Sequence, residues 1–360
     1  MTTMRTLDVT GLTSLLTGRA WPAEPRVVVS GNLAVPWTLL AALDSALPRY
    51  RLHALNAPAG LPRREGVSYE TTFVGPGMRH EARLSYVPAR LSLVPLLLGG
   101  ALVPDLVLVQ TSAPRQGRLS LGIEVNVLPA AIKACRARGG LVLAQANAQM
   151  PYTFGDGEYD AGVFDGVLEV DEPLPDVAAR PGAASGADAA AQIGALVAAR
   201  VPDGATLQLG IGEVSDATLP GLAQRRRLAL WSEMFSDGVL RLEEAGALDP
   251  ARPIISSFAF GSQELYAWMN ANPRIVMRRT EVTNSPSEIS RQPLMTSINT
   301  ALQVDLFAQA NASRIGARIH SGFGGQTDFI VGALHAPGGQ ALMALRSWHP
   351  RAQVSTIVPA

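Results

Sequence analysis

A single carboxylate closes the most suggestive stretch of this 360-residue chain. Residues 228–238 run from an apolar segment to Glu233, and Asp237-Gly238 then breaks the strand ahead of an amphipathic pattern over residues 239–245. The carboxyl ends of strands in an open α/β sheet are where ligands and chemistry lie. An isolated glutamate at such a place is commonly exposed or ion-paired. A carboxylate can also act as a base or a nucleophile, and we predict that Glu233 is a nucleophile.

Two successive α/β runs must position this carboxylate. Strand patterns fall at residues 27–32, 51–55, 105–110, 141–146, 206–209, 254–257, 275–277, 313–320, 340–345 and 354–358, and residues 297–307 read as extended. Helix patterns fall at residues 37–47, 128–138, 189–199 and 263–271. Residues 70–79 and 111–122 are rich in turn formers and predict loops beside strand ends. The composition turns to Pro, Gly, Ala and Asp over residues 172–188, which predicts two α/β domains, 1–183 and 184–360.

Composition narrows the class of protein. Thirty basic and thirty acidic residues give a net charge of zero, so no basic field predicts binding to nucleic acid or to an anionic membrane. The apolar stretch 91–103 is interrupted by proline and glycine, and the N-terminus lacks a signal-peptide core, so we expect a cytoplasmic protein. The single cysteine, Cys135, and the irregular spacing of His320, His335 and His349 predict no metal site.

Several loops, in order along the chain, carry a resemblance to a known family. The pieces are residues 70–79, 112–122 and 150–156, Gly210-Ile211-Gly212, Ser232-Glu233-Met234 with Ser236-Asp237-Gly238, Thr283-Asn284, Ile298-Asn299, and Gly324-Gly325-Gln326 with Asp328-Phe329. Together they resemble the acetyl-CoA hydrolase/transferase family, the branch of class I CoA-transferases that includes acetate and 4-hydroxybutyrate CoA-transferases. The resemblance implies two open, mostly parallel-sheet α/β domains with the active site in the cleft between them.

The resemblance also implies a reaction. Glu233 would carry CoA as a glutamyl thioester, with acyl-CoA and short-chain carboxylates as substrates. Coenzyme A is then a substrate, and no cofactor is expected. A homodimer is implied by the family alone. The same glutamate would serve an acyl-CoA hydrolase, because water can replace the acceptor acid, and the sequence leaves these two activities open.

Roles for further residues follow from the same resemblance. The glycines fail the dinucleotide fingerprint and are by default tight turns. In the family context Gly324 and Gly325 would present backbone amides to an anionic intermediate, and Asn284 would supply a side-chain amide. Gly210, Ile211 and Gly212, which open a helix, would receive phosphate or pantetheine of CoA. Gln326 and Asp328 are also expected among the CoA-binding residues.

The C-terminus raises one more expectation. Relatives continue beyond the segment Ile357-Val358-Pro359 with further strands and helices, whereas this sequence stops at Ala360. We therefore expect a truncated C-terminal domain, with apolar surface and an unpaired edge open to water. A truncated, catalytically impaired relative that binds CoA without turnover is accordingly a third candidate function.

Overall fold

The computed structural model describes residues 4–177, 187–350 and 352–359. The predicted domain boundary between residues 183 and 184 lies outside the described residues. Among the described residues, no helix is both long and apolar enough to cross a bilayer.

The first half alternates strands and helices. Its elements are α1 Val9–Thr17, β1 Arg26–Val29, α2 Trp37–Ala46, β2 Tyr50–His53, β3 Val67–Thr71, β4 Leu84–Tyr86, α3 Val94–Leu98, β5 Leu106–Ser112, β6 Arg118–Ser120, α4 Leu128–Ala137, β7 Leu141–Asn147, β8 Phe154–Gly155, β9 Glu158–Asp160 and β10 Gly166–Val170.

The second half follows the same alternation and ends in short strands. Its elements are α5 Ala187–Arg200, β11 Thr206–Gln208, α6 Glu213–Leu222, β12 Ala229–Trp231, β13 Met234–Phe235, α7 Asp237–Glu244, β14 Ile254–Ser256, β15 Phe258–Ala259, α8 Gln263–Met269, β16 Ile275–Met277, α9 Thr280–Thr283, α10 Pro286–Ile289, β17 Met295–Asn299, β18 Gln303–Asp305, β19 Ala310–Asn311, β20 Arg314–Ile315, β21 Arg318–Ile319, α11 Gln326–His335, β22 Gln340–Met343, β23 Trp348–His349, β24 Val354–Ser355 and β25 Ile357–Val358.

The first sheet has seven strands in the order β10-β7-β5-β1-β2-β3-β4, and every pair is parallel. β5 and β7 are buried along their whole length, as strands covered on both faces must be. The strand order reverses between β1 and β5. The carboxyl ends of these two strands therefore form the switch point at which open α/β sheets bind ligands.

The second sheet is also seven-stranded and parallel, in the order β22-β17-β11-β12-β14-β16-β8. Its order reverses between β11 and β17, and β12, which leads to Glu233, lies next to β11. One edge strand comes from the first half, because Phe154 pairs with Val276 and Gly155 with Met277. The predicted fold class, two mostly parallel α/β sheets, is confirmed.

A shared core joins the halves. One cluster of buried apolar side chains includes Val28 and Val107 of the first half together with Leu207 and Leu230 of the second. The buried segment 121–127 runs between the two sheets, since the amide of Ala259 donates to the carbonyl of Ile123 at 2.8 Å. The carboxyl edges of the two sheets are thereby held in fixed relation.

Several local predictions were wrong. Residues 313–320 form a tight antiparallel hairpin of β20 and β21 rather than one strand, because Gly316 turns the chain at φ 57°. Residues 354–358 form two short strands in which Val354 and Ile357 are exposed, not one buried strand. Residues 70–71 belong to β3, so the predicted loop begins after Thr71.

Candidate active site

Glu233 lies between β12 and β13, just beyond the carboxyl edge of the second sheet. Its carbonyl accepts hydrogen bonds from the amides of Ser257 at 2.9 Å and Phe258 at 3.1 Å. The preceding Ser232 is fully buried, and its hydroxyl donates to the carbonyl of Leu209 at 3.1 Å. The backbone of the predicted nucleophile is therefore fixed from two neighbouring strand ends.

The carboxylate of Glu233 is met by neutral donors. The amide Nδ2 of Asn284 donates to Oε2 at 2.8 Å, and the backbone N–H of Gly325 donates to the same carboxylate. Burial raises the pKa of Glu233 to about 7; the two hydrogen bonds oppose this rise, and the negative charge of Asp328 adds to it. Glu233 thus titrates near neutral pH, where a carboxylate is ready to act as a nucleophile.

Asn284 is held in one orientation. It follows the short helix α9 and is fully buried, and its Oδ1 accepts from the hydroxyl of Thr283 at 2.8 Å. Trp231, at the end of β12, donates its indole N–H to the carbonyl of Thr283 at 3.0 Å. Because Oδ1 is occupied, Nδ2 is the atom that points to Glu233.

Gly325 is a glycine because of how closely the backbone approaches the carboxylate. A Cβ at this position would lie 1.7 Å from Oε2 of Glu233 and 2.2 Å from Nδ2 of Asn284. Gly324 has φ 55°, in the region that favours glycine, and its carbonyl accepts from Leu91 at 2.9 Å. Phe73 pairs with Gly322, so the segment after β3 contacts this loop. A binding role for residues 70–79 stays a prediction.

Comparisons with known proteins assign this chain to a family. The model of the acetyl-CoA hydrolase/transferase C-terminal domain matches residues 261–360. The chain is 33% identical over 353 residues to the 4-hydroxybutyrate coenzyme A transferase of Clostridium kluyveri, covering 93% of this chain and 80% of that protein. It belongs to the acetyl-CoA hydrolase/transferase family.

Two further members of this family extend the match. The succinyl-CoA:acetate/propanoyl-CoA:succinate CoA transferase of Fasciola hepatica is 36% identical over 334 residues, which cover 87% of this chain and 68% of that protein. The crystal structure of 4-hydroxybutyrate CoA-transferase from Porphyromonas gingivalis superposes with a TM-score of 0.79 at 28% identity, over 99% of this chain and 84% of that one. The prediction of an enzyme of CoA transfer or acyl-CoA hydrolysis is confirmed.

Asp328, expected among the CoA-binding residues, lies in a buried hydrogen-bond network. It lies in the first turn of α11, is fully buried, and accepts from the hydroxyl of Ser92 at 2.7 Å and its amide at 3.1 Å. In this conformation it ties the glycine loop of the family to the first half of the chain. Gln326, half-buried, places Nε2 3.7 Å from the sulfur of Met343.

The segment Gly210-Ile211-Gly212 lies where the sequence predicts, between β11 and α6. Ile211 is exposed, and Gly212 has φ 111° as it opens the helix. The first turn of α6 carries two acids, Glu213 and Asp216. Glu213 is ion-paired with Arg346, so a positive charge also lies at this turn. Binding of CoA phosphate or pantetheine by this loop stays a prediction.

One buried acid escaped the sequence reasoning. Glu124 is 2% exposed and lies between the sheets, where the negative charge of Glu233 reaches it. A signal for it was present, since Glu124 is the single charged residue of the apolar run 121–132. A charged side chain is rarely fully buried unless it is paired or hydrogen-bonded.

Proposed function

We propose that this enzyme moves CoA from an acyl-CoA to a short-chain carboxylic acid through a thioester on Glu233. The observation that carries the proposal is the convergence of Asn284 and Gly325 on one half-buried carboxylate. Two amide donors beside this carboxylate supply a site at which negative charge can develop during acyl transfer.

The first half-reaction forms an anhydride. The ionised carboxylate of Glu233 attacks the acyl-CoA carbonyl, the C–S bond breaks, and CoA leaves as a thiolate. The thiolate then attacks the glutamyl carbonyl, and the acyl group leaves as a carboxylate. Glu233 is now joined to CoA by a thioester, and no net proton has been taken up or released.

The donors act when the glutamyl carbonyl is attacked. The Glu233 oxygen that accepts from Asn284 in the free enzyme becomes the thioester carbonyl oxygen, and each attack on that carbonyl turns it into an oxyanion. Asn284 and Gly325 are already in place, so no reorganisation is needed at that moment. The second half-reaction reverses these steps with a different carboxylate, which leaves as a new acyl-CoA.

Water is the competing acceptor. Attack of water on either covalent intermediate, the anhydride or the thioester, returns free Glu233 and makes the enzyme a hydrolase with the same residues. The partition between the two depends on how well the cleft excludes water once CoA is bound. CoA transfer to isotope-labelled acetate and net release of CoA from acetyl-CoA, measured together, give this partition directly.

The decisive experiment is to trap the thioester. The protein is incubated with acetyl-CoA, and one half is treated with borohydride, which reduces a thioester to an alcohol. Peptide mass spectrometry of that half should find Glu233 reduced, and intact mass of the untreated half should show added CoA. Glu233→Gln provides the control. Modification of a different residue, or none in a sample that turns over, would overturn the mechanism.

Two other parts of the proposal rest on the sequence and on the family resemblance. A homodimer and a cytoplasmic location remain predictions. Gel filtration with light scattering and localisation of a tagged protein would test them.

A further inference from the structure

Glu124 is a buried acid that the proposed reaction does not use. Its two oxygens accept from two asparagine amides: Oε2 from Nδ2 of Asn32 at 2.7 Å and Oε1 from Nδ2 of Asn126 at 3.2 Å. Asn32 follows β1 at the switch point of the first sheet, and its Oδ1 accepts from Asn56 at 2.8 Å. Glu124 is thus anchored to the first sheet through side chains whose orientation is fixed.

The other side of this network reaches the second half of the chain. Oδ1 of Asn126 accepts from the hydroxyl of Thr280 at 2.7 Å, and the carbonyl of Asn126 accepts from the Thr280 amide at 3.0 Å. Thr280 is the first residue of α9, and its carbonyl accepts from the amide of Asn284 at 3.0 Å. A path of hydrogen-bonded residues therefore runs from Asn32 to the backbone of Asn284, whose side chain donates to Glu233.

A second path is made by the backbone. The amides of Val125 and Asn126 donate to the carbonyl of Ser257 at 3.0 and 3.1 Å. Ser257 in turn donates its own amide to the carbonyl of Glu233. Ser257 therefore links the segment that carries Glu124 to the backbone of Glu233.

We propose that Glu124 is a positioning residue that fixes Asn126, and through it α9 and Asn284, at the distance needed to polarise Glu233. This inference rests on the proposed function and adds to it a residue from the first half of the chain. Because Asn126 and Thr280 come from different halves, Glu124 also sets where the two carboxyl edges meet.

A carboxylate suits this position better than an amide. Asn32 and Asn126 both turn Nδ2 toward Glu124, because Asn56 and Thr280 already occupy their Oδ1 atoms. Glutamine has one acceptor oxygen, so its NH₂ group would face one of the two donors and break that hydrogen bond. Burial raises the pKa of Glu124 to about 7, and the Glu233 charge adds to the rise while the two asparagines oppose it.

The test is a double-mutant cycle on turnover of acetyl-CoA, measured as transfer to labelled acetate plus hydrolysis. Glu124→Gln should lower kcat by about tenfold to a hundredfold, the cost of misplacing a catalytic group by about 1 Å, with a smaller change in KM. In an Asn284→Ala background the same substitution should lower kcat less than about twofold, because residues that act through one another are not additive.

Glu172→Gln is the matched control. Glu172 also accepts a side-chain amide, from Gln145 at 3.0 Å, at the carboxyl edge of the first sheet but beside β7 and β10. This control should keep kcat within about twofold of wild type. Thr280→Val is the second variant, because it removes the hydroxyl that orients Asn126 with little change of shape, and it should lower kcat in the same direction.

The outcomes separate this inference from the proposed function. Trapping of Glu233 in the wild type tests the function alone. With that thioester present, wild-type kcat in both Glu124→Gln and Thr280→Val would overturn the positioning role. The positioning role would also be overturned if Glu124→Gln lowered kcat by the same factor in the Asn284→Ala background as in the wild type. If Glu124→Gln does not fold, Thr280→Val in both backgrounds decides alone.

Discussion

The pKa values of two glutamates, the buried Glu70 and the half-buried Glu233, are shifted in opposite directions. Glu70 lies in β3, 3% exposed, with Arg26 Nε at 3.0 Å and His53 Nδ1 at 3.2 Å. Burial raises its pKa, but His53 and Arg26 more than offset this and hold it below the usual range. Within the described part of the chain, the donors to Glu233 are amides, and its pKa rises to about 7. Burial alone does not raise the pKa of a glutamate, because charged partners can reverse the direction of the shift.

Loss of the proposed nucleophile, Glu233, is the sharpest way to test this contrast. Glu233→Gln keeps the size of the side chain and removes its nucleophilic oxygen, so acetyl-CoA turnover should fall by about 10⁴-fold or more. Thermal unfolding should show a folded protein. Turnover near the wild-type level would contradict the assignment of Glu233.

A side chain on the glycine loop should have the next largest effect. Gly325→Val would force a Cβ into the space of Glu233 and Asn284, so kcat should fall by about 10²- to 10³-fold, as when an oxyanion donor is lost. Gly99→Ala is a suitable control, because its Cβ would be 3.4 Å from the nearest atom outside its chain neighbours. If Gly325→Val keeps wild-type kcat, the loop is only a turn.

The pH dependence of kcat/KM should report the raised pKa of Glu233. Attack requires ionised Glu233, so kcat/KM should be flat above about pH 7 and fall by about tenfold per pH unit well below it. A profile of kcat/KM for acetyl-CoA between pH 5 and 9 measures this. An acid limb at pH 4.5, the range of an ordinary carboxyl, would mean that burial does not govern this site.

Glu70→Gln should affect stability far more than catalysis. Removal of one partner of a buried ion pair costs about 3–5 kcal/mol of unfolding free energy. Because the folded pKa of Glu70 is lowered, its stabilising effect is present above the unfolded pKa and is lost as pH falls through the folded value. Urea unfolding of both proteins at pH 7 and pH 4 should therefore show a gap that narrows in acid. An equal gap at both pH values would place the effect elsewhere.

The smallest effect is expected from metal removal. A thiolate and a carboxylate are stable leaving groups near neutral pH, so the proposed reaction needs no Lewis acid. Turnover should be unchanged after dialysis against EDTA. Recovery of a lost activity by added Zn²⁺ or Mg²⁺ would contradict the prediction that no metal takes part.

The sequence predicts the parts of this molecule that depend on neighbours in the chain. Periodicity located β5, β7 and α4 almost to the residue, because their burial follows from local runs of apolar side chains. The family resemblance selected Asn284 and Gly325, which do contact Glu233. It did not indicate that Asp328 accepts from Ser92, because a hydrogen bond between residues 236 positions apart leaves no local pattern.

Glu124 was not predicted from the sequence for the same reason. Its partners Asn32 and Asn126 lie on different segments, and only the folded chain shows that both turn an amide toward it. Residues 313–320 were predicted as one strand from their composition, but they contain the turn at Gly316. Local pattern identifies elements, whereas the site depends on contacts that tertiary structure creates.

The strand β8 constrains the order in which the molecule can be built. Phe154 and Gly155 leave the ribosome well before β16, their partner in the second sheet, exists. The first sheet can form early, since all its strands precede residue 171, but β8 has no partner strand in the second sheet until residues 275–277 have been made. Long-range pairings of this kind slow folding. The nascent chain therefore carries an unpaired strand during its synthesis, and unpaired strands of this kind promote aggregation.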